Sequence, residues 1–119
     1  MPFAKRVVAK TLAAERAKRW TVGVLFTNNK KIRVMNKKFL NHDAATDVIS
    51  FGLGEGVGDI AVSVEMARQM ARKLKISFKE ELARYLVHGT LHLLGYRDKK
   101  KKDKIKMHAR QERILKSLR

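Results

Sequence analysis

Between Tyr85 and Asp98 the chain reads YLVHGTLHLLGYRD, an almost continuous apolar run that carries two histidines. A helix that is apolar on all sides is buried, so this run predicts a helix in the protein core. Ser77, with Glu80 three residues later, has the capping-box spacing and predicts the start of the helix at Phe78. Gly95 is placed to end it in a left-handed conformation.

His88 and His92 are four residues apart, and they therefore lie on one face of this helix. Burying two imidazole rings without partners costs a few kcal/mol, and a shared cation removes that cost by taking one nitrogen from each ring. A pair of core histidines satisfied by packing is the alternative. Asp98 favours the metal, because it follows the glycine turn as a third ligand and leaves a fourth position for water. Gly89 stands where metalloproteases of the HExxH type have their general base, which excludes that activity.

The composition narrows the class of protein further. The 119 residues include no cysteine, so disulfide partners and thiolate metal sites are excluded, and any metal is held by nitrogen and oxygen atoms. The formal net charge is +17, and the excess is concentrated in residues 1–20 and 99–119, which favours nucleic acid as partner. There is no secretory signal and no apolar run long enough for a membrane span. We therefore expect one domain, residues 1–119, in the cytoplasm, with no membrane partner.

Hydrophobic periodicity elsewhere predicts an α+β fold, a small sheet with helices packed against it. Strands are predicted at 20–27, 46–51 and 59–64, the first of them as a buried strand. Further helices are predicted at 4–19, from Asn28 or Asn29 to Leu40, from Ser63 to about Lys75, and at 99–118 with Ile105 among its apolar contacts. Four glycines between Gly52 and Gly58 predict a flexible turn.

Several of these motifs resemble the YbeY family, bacterial zinc-dependent endoribonucleases involved in ribosomal RNA maturation. Residues 88–96 match the family's H-G-x-L-H-L-x-G-Y core, residues 46–51 resemble its T-D-V-L-S-F strand, and residues 58–60 resemble its G-D-I strand. The family's closing helix, M-x-x-x-E-x-x-I-L, is fitted to Met107, Glu112, Ile114 and Leu115.

The resemblance implies a small mixed sheet of three or four strands flanked by helices, with the histidine helix lining a cleft. It implies one Zn²⁺ ion held by His88, His92 and Asp98. The implied activity is single-strand-specific cleavage of RNA in ribosomal RNA maturation, at the 3′ end of 16S rRNA, and in ribosome quality control. The implied partners are the ribosome or its assembly factors. The alternative is a non-catalytic assembly or RNA-binding factor whose zinc is structural.

The chain departs from the family pattern at two positions. Many members have a third histidine where this chain has Asp98, and a carboxylate is a competent zinc ligand in its place. Many members have an arginine where this chain has Leu40. We expect the absence of this arginine to affect the rate of RNA cleavage and not the fold or the metal site.

The residues that contact RNA and move protons are less well defined by the sequence. Lysine side chains next to the two ends of the motif region are candidates for binding the phosphate backbone, namely Lys37, Lys38, Lys99, Lys100, Lys101 and Lys102. No catalytic residue is assigned. Asp47 and Asp59 are candidates for a general base because they lie in the motif strands, although a hydrogen bond at a strand end is the simpler role for each.

Overall fold

Eight helices and strands follow one another in residues 2–119, the part of the chain that the computed structural model describes. In chain order they are α1 (Pro2–Ala14), β1 (Thr21–Thr27), α2 (Asn29–Leu40), β2 (Val48–Gly54), β3 (Val57–Ser63), α3 (Val64–Leu74), α4 (Phe78–Leu93) and α5 (Lys101–Ser117). Five helices around one small mixed sheet confirm the predicted α+β class. None of the helices in residues 2–119 combines the length and the apolar character that crossing a bilayer requires.

The sheet has three strands within the described residues, in the order β1-β3-β2. β3 is central, paired parallel to β1 and antiparallel to β2. Burial alternates along β1, and Leu25 on its open face is 52% exposed. The prediction of a buried strand was therefore wrong, because an edge strand of a sheet this small is covered on one face only.

The glycine-rich segment between the second and third strands is also more ordered than predicted. β2 extends to Gly54 and β3 begins at Val57, so only Glu55 and Gly56 form the turn. A register shift between Gly52 and Gly54 absorbs the irregularity, as a β-bulge does. The pairing continues because it depends on backbone groups, which glycine supplies as well as any residue.

Helix α4 lies against the sheet and forms the centre of the core. Leu86, Val87 and Leu91 are fully buried, as the apolar run predicts. Ser77 caps the helix, since its hydroxyl accepts a hydrogen bond from the Glu80 amide at 3.1 Å. Gly95 follows the end of the helix with φ of +101°, the conformation expected of it.

A close approach between α4 and the sheet explains the glycine in the middle of the helix. A Cβ atom on Gly89 would lie 2.8 Å from Val48 Cγ2 and 3.2 Å from Ile60 Cγ2. The hydroxyl of Ser50 on β2 donates a hydrogen bond to the Gly89 carbonyl at 2.7 Å. The helix can reach the sheet at this distance only without a side chain at position 89.

The terminal helices are shorter than predicted. α1 ends at Ala14 rather than at residue 19, and α5 begins at Lys101 rather than at residue 99. Met107 and Ile114 of α5 are seven residues apart and are buried in the core. Ile105 is 61% exposed, so its predicted core contact was wrong. Two residues before Met107, it points about 200° away around the helix.

Candidate metal centre and adjoining cleft

Three potential ligand atoms meet at the C-terminal end of α4. The Nε2 atoms of His88 and His92 are 3.1 Å apart. Asp98 Oδ2 lies 3.3 Å from His92 Nε2 and 3.7 Å from His88 Nε2. One turn of helix stacks the two rings, and the reversal at Gly95 returns the chain so that Asp98 reaches them. The structure thus brings together the three residues that the sequence predicted as metal ligands.

The orientation of His88 is set by a side chain on α5. His88 Nδ1 lies 2.7 Å from Gln111 Oε1, and Gln111 Nε2 donates to Glu112 Oε2 at 3.0 Å. Hydrogen bonds from Arg84 hold the pKa of Glu112 below its ordinary value, so this carboxylate is ionised and can only accept. Gln111 must therefore present its amide nitrogen to Glu112 and its oxygen to His88. It follows that His88 Nδ1 carries the proton and Nε2 carries a free lone pair.

Arg84 anchors this chain of contacts to α4 itself. Its guanidinium holds Glu112 through two bonds of 3.0 Å and Glu81 through one of 2.8 Å. This bidentate interaction between guanidinium and carboxylate fixes Glu112 more firmly than a single hydrogen bond could. These hydrogen bonds, that to Glu112 first, raise the pKa of Arg84 further above its already high ordinary value.

His92 is oriented by the loop that delivers Asp98. Its Nδ1 lies 3.0 Å from the carbonyl oxygen of Tyr96, which can only accept, so Nδ1 donates. The Tyr96 hydroxyl in turn donates to Glu15 Oε1 at 2.6 Å, and this bond raises the pKa of Tyr96. Arg110 of α5 pairs with the other oxygen of Glu15. The loop is thereby tied both to the segment after α1 and to α5.

The donor set fits a tetrahedral metal ion. Because both Nδ1 atoms donate, the two Nε2 lone pairs face each other beside a carboxylate, an arrangement that is repulsive unless a cation or a proton lies between them. Zinc bonds of about 2.0–2.1 Å at tetrahedral angles place ligand atoms about 3.3 Å apart. The observed separations of 3.1, 3.3 and 3.7 Å lie around that value.

A cleft of about 660 Å³ opens beside this centre, as the resemblance implied. His88 and Asp98 form part of its wall, so cleft and donor set are continuous. α4 contributes Tyr85, and one face of α5 contributes Ile105 and the exposed His108.

The two aspartates considered as general bases lie on opposite faces of the sheet. Asp47 lines the cleft, and its Oδ1 accepts hydrogen bonds from the Val48 amide at 2.7 Å and from the Thr46 hydroxyl at 3.3 Å. This is the strand-end role that the sequence favoured. Asp59 stands beside Gly23, on the face of β3 away from Ile60 and α4, so it is too poorly placed to act as base at this centre.

The candidate RNA-binding lysines are all exposed, but they fall in two places. Lys99 and Lys100 directly follow Asp98, and Lys101 and Lys102 form the first turn of α5. Lys37 and Lys38 lie in the last turn of α2, outside the described wall of the cleft.

The position of the missing family arginine is also on α2. Leu40 there is 55% exposed. Arg33, seven residues earlier on the same helix, is bound to Asp43 at 2.8 Å.

Sequence reasoning missed the residues that orient the imidazoles. It matched the acidic position of the closing helix motif to Glu112, but the position four residues after Met107 is Gln111, and Gln111 is the residue that reaches His88. Helical spacing from Met107 could have found it. Tyr96 was recognised only as a motif letter, and no sequence signal links Glu15 to it across 81 residues.

The family model and the curated relatives described here share one description. The family model described as Endoribonuclease YbeY matches residues 2–119. The Endoribonuclease YbeY of Flavobacterium psychrophilum is 37% identical over 112 residues, which cover 92% of this chain and 80% of that protein. That of Chlorobaculum tepidum is 35% identical and covers 97% of this chain and 93% of the relative. A Thermotoga maritima protein solved in solution superposes with a TM-score of 0.68 at 28% identity, over 94% of this chain and 76% of that one. From its sequence and its fold, the chain belongs to the Endoribonuclease YbeY family.

Proposed function

We propose that this protein is a zinc-dependent endoribonuclease that cleaves single-stranded RNA. The observation that carries the proposal is the convergence of His88 Nε2, His92 Nε2 and Asp98 Oδ2, with both Nδ1 atoms engaged as donors. Family membership supplies the substrate class, since the relatives are named endoribonucleases. We place its action in the cytoplasm, in maturation of the 16S rRNA 3′ end and in ribosome quality control.

His88, His92 and Asp98 are the residues that would hold the ion, with one coordination position left for water or a phosphoryl oxygen. Zinc bound there supplies Lewis acidity and a water of lowered pKa. The carboxylate of Asp98 adds a negative charge that a third histidine would not, which lessens the acidity of that water. The chain itself contributes orientation, because Gln111 and the Tyr96 carbonyl fix the planes of both rings.

The distribution of charge supports RNA as the substrate and the ribosome, or its assembly factors, as the partner. The run Lys99–Lys102 directly follows Asp98 and is exposed, so it can hold phosphates beside the centre. Lys37 and Lys38 offer a second, separate contact on α2. Such contacts follow the backbone and do not read bases.

Metal analysis and RNA cleavage together test the proposal. Purified protein is expected to retain zinc, and Asp98→Ala and His92→Ala are expected to lose most of it. The zinc-loaded protein should cut a single-stranded RNA and spare the same sequence in a duplex, and His88→Ala should cut neither. Zinc-loaded protein that leaves single-stranded RNA intact, like His88→Ala, would overturn the enzymatic proposal.

A second candidate is an assembly factor with a structural zinc. The observation that favours it is that Leu40 stands at the arginine position and that Arg33 on the same helix is paired with Asp43. A structural site predicts that chelation lowers the melting temperature sharply. A catalytic site predicts lost cleavage by a protein that stays folded without the metal, with a smaller fall in the melting temperature.

A further inference from the structure

The wall of the cleft beside the candidate metal centre includes an exposed apolar side chain that has no role in binding a metal. Ile105 is 61% exposed although it is flanked by Lys104 and Lys106 in the most basic part of the chain. Its side chain contributes to the cleft wall, next to the buried Met107. A site that bound only phosphate would not need an exposed isoleucine, because phosphate is held by charge and by N–H donors.

The size and the position of the cleft suit one flat, partly apolar group. Its volume of about 660 Å³ lies within the range of small-molecule sites. His88 and Asp98 border the cleft. A group bound in the cleft can therefore belong to a polymer whose backbone passes the metal centre. Unpaired bases of single-stranded RNA are splayed out and held in this way, by contacts to their faces and hydrogen bonds to their edges.

Asp47 supplies a polar group that can contact an edge of such a base. Asp47 and Tyr85 both line the cleft. The charge of Asp47, after burial and the charge of Glu81, is among the causes that raise the pKa of the Tyr85 hydroxyl. Asp47 Oδ1 is used by Val48 and Thr46, while Oδ2 accepts no hydrogen bond from residues 2–119. Of the other two carboxylates of the wall, Glu81 is already bound to Arg84, and Asp98 belongs to the candidate metal centre. An ionised carboxylate can only accept, so the group facing Oδ2 must be a donor.

We propose that this cleft binds one unpaired nucleobase of the RNA, with Ile105 against its face and Asp47 Oδ2 accepting a hydrogen bond from its amino group. The inference rests on the proposed RNA substrate and adds a specificity to it. Cytosine and uracil differ at the 4 position, where cytosine has an amino donor and uracil has a carbonyl acceptor. At that position the carboxylate accepts a hydrogen bond from cytosine, whereas it repels the carbonyl oxygen of uracil.

The test measures binding of the zinc-loaded protein to fluorescent oligo(C) and oligo(U) of ten nucleotides by anisotropy, with recovered RNA checked for intact length. The wild-type protein should bind oligo(C) about five- to tenfold more tightly. Asp47→Asn keeps Oδ1 for Val48 and Thr46 but places an NH₂ donor where Oδ2 was, so the preference should vanish or reverse.

Ile105→Ser tests the apolar contact without relying on Asp47→Asn, and its exposed position leaves the fold intact. It should weaken binding of both oligomers several-fold, whereas Leu74→Ser, at a leucine on α3 that is 51% exposed, should change neither. The base site would be overturned by two results together. One is equal affinity for oligo(C) and oligo(U) in both the wild-type protein and Asp47→Asn, and the other is binding by Ile105→Ser that equals binding by Leu74→Ser. These results would leave the proposed cleavage of RNA unaffected. Failure to bind or cleave any RNA would overturn the proposed function and this inference together.

Discussion

Replacing Gln111 by leucine isolates the contribution of imidazole orientation to metal binding. Gln111 is 5% exposed, and its Oε1 accepts the Nδ1 proton of His88 at 2.7 Å. Leucine has a similar volume and has neither an acceptor for His88 nor a donor for Glu112. The three ligand residues themselves are unchanged.

The magnitude follows from what His88 loses. A partly buried N–H without an acceptor costs about 1–3 kcal/mol, and the ring can avoid this cost by moving the proton to Nε2 or by turning away. Either response competes with the metal for the Nε2 lone pair. Loss of such outer contacts typically weakens metal binding about 10–100-fold, or about 1.4–2.7 kcal/mol. We expect Gln111→Leu within that range.

Zinc affinity is measured by competition with a chromophoric chelator, on metal-free protein whose fold has been checked by circular dichroism. Gln69→Leu is the matched control, because Gln69 is exposed on α3 and bonds only Asn29 at 3.2 Å. A dissociation constant for Gln111→Leu within twofold of wild type, with the fold intact, would show that the Gln111 contact does not orient His88 for the metal.

Three further changes have defined outcomes. Gly89→Ala should lower the free energy of unfolding by about 1–2 kcal/mol in urea titrations, because overpacking at 2.8 Å outweighs the gain in helix propensity. Gly52→Ala, with open space around it, should be nearly neutral, and equal effects would contradict the close-approach argument. Since the folded-state pKa of Glu112 is lowered, its pairing with Arg84 stabilises the fold fully above pH 4.5, and this contribution is lost as pH falls through the lowered pKa. Glu112→Gln should therefore show a shallower loss of stability than wild type in acid denaturation, and parallel curves would refute this assignment. Replacing Lys99–Lys102 by serine should reduce the salt dependence of RNA binding, lowering the slope of log K against log salt by up to about 3, and an unchanged slope would place the phosphates elsewhere.

Sequence reasoning located the candidate ligands because they are close together in the chain. Helical periodicity places His88 over His92, and a glycine stop is a local signal, so eleven consecutive residues contain the whole donor set. The helix caps at Asn28, Ser63 and Ser77 were equally local, and each hydroxyl or amide accepts the amide hydrogen bond expected of it.

The predictions that were wrong concern features that depend on which helix or strand packs against a residue. The alternating sequence pattern placed Asp59 and its neighbours on opposite faces of the strand. The position of α4 decides which face of the sheet borders the cleft. The first strand looked buried because its residues are apolar, and its place at the sheet edge comes from the strand order. Ile105 belongs to the same class of error, since the face of α5 that meets the core is set by Met107 and Ile114.

The contrast between local ligands and distant orienting residues helps to distinguish a catalytic zinc from a structural one. The ligands are local, but their orientation depends on Gln111 of α5 and, through Tyr96, on Glu15 beyond α1, so the donor set is complete only when both ends of the chain are docked. An ion that binds the folded state alone stabilises it by about 2.7 kcal/mol when free metal is 100 times the dissociation constant. The core of α4 does not need the ion, because Leu86, Val87 and Leu91 are fully buried and α1, α3, α5 and the sheet all pack against this helix. The metal-free protein should therefore keep its fold and gain stability on binding zinc, which is the behaviour of a catalytic site on a preformed scaffold rather than of a structural one.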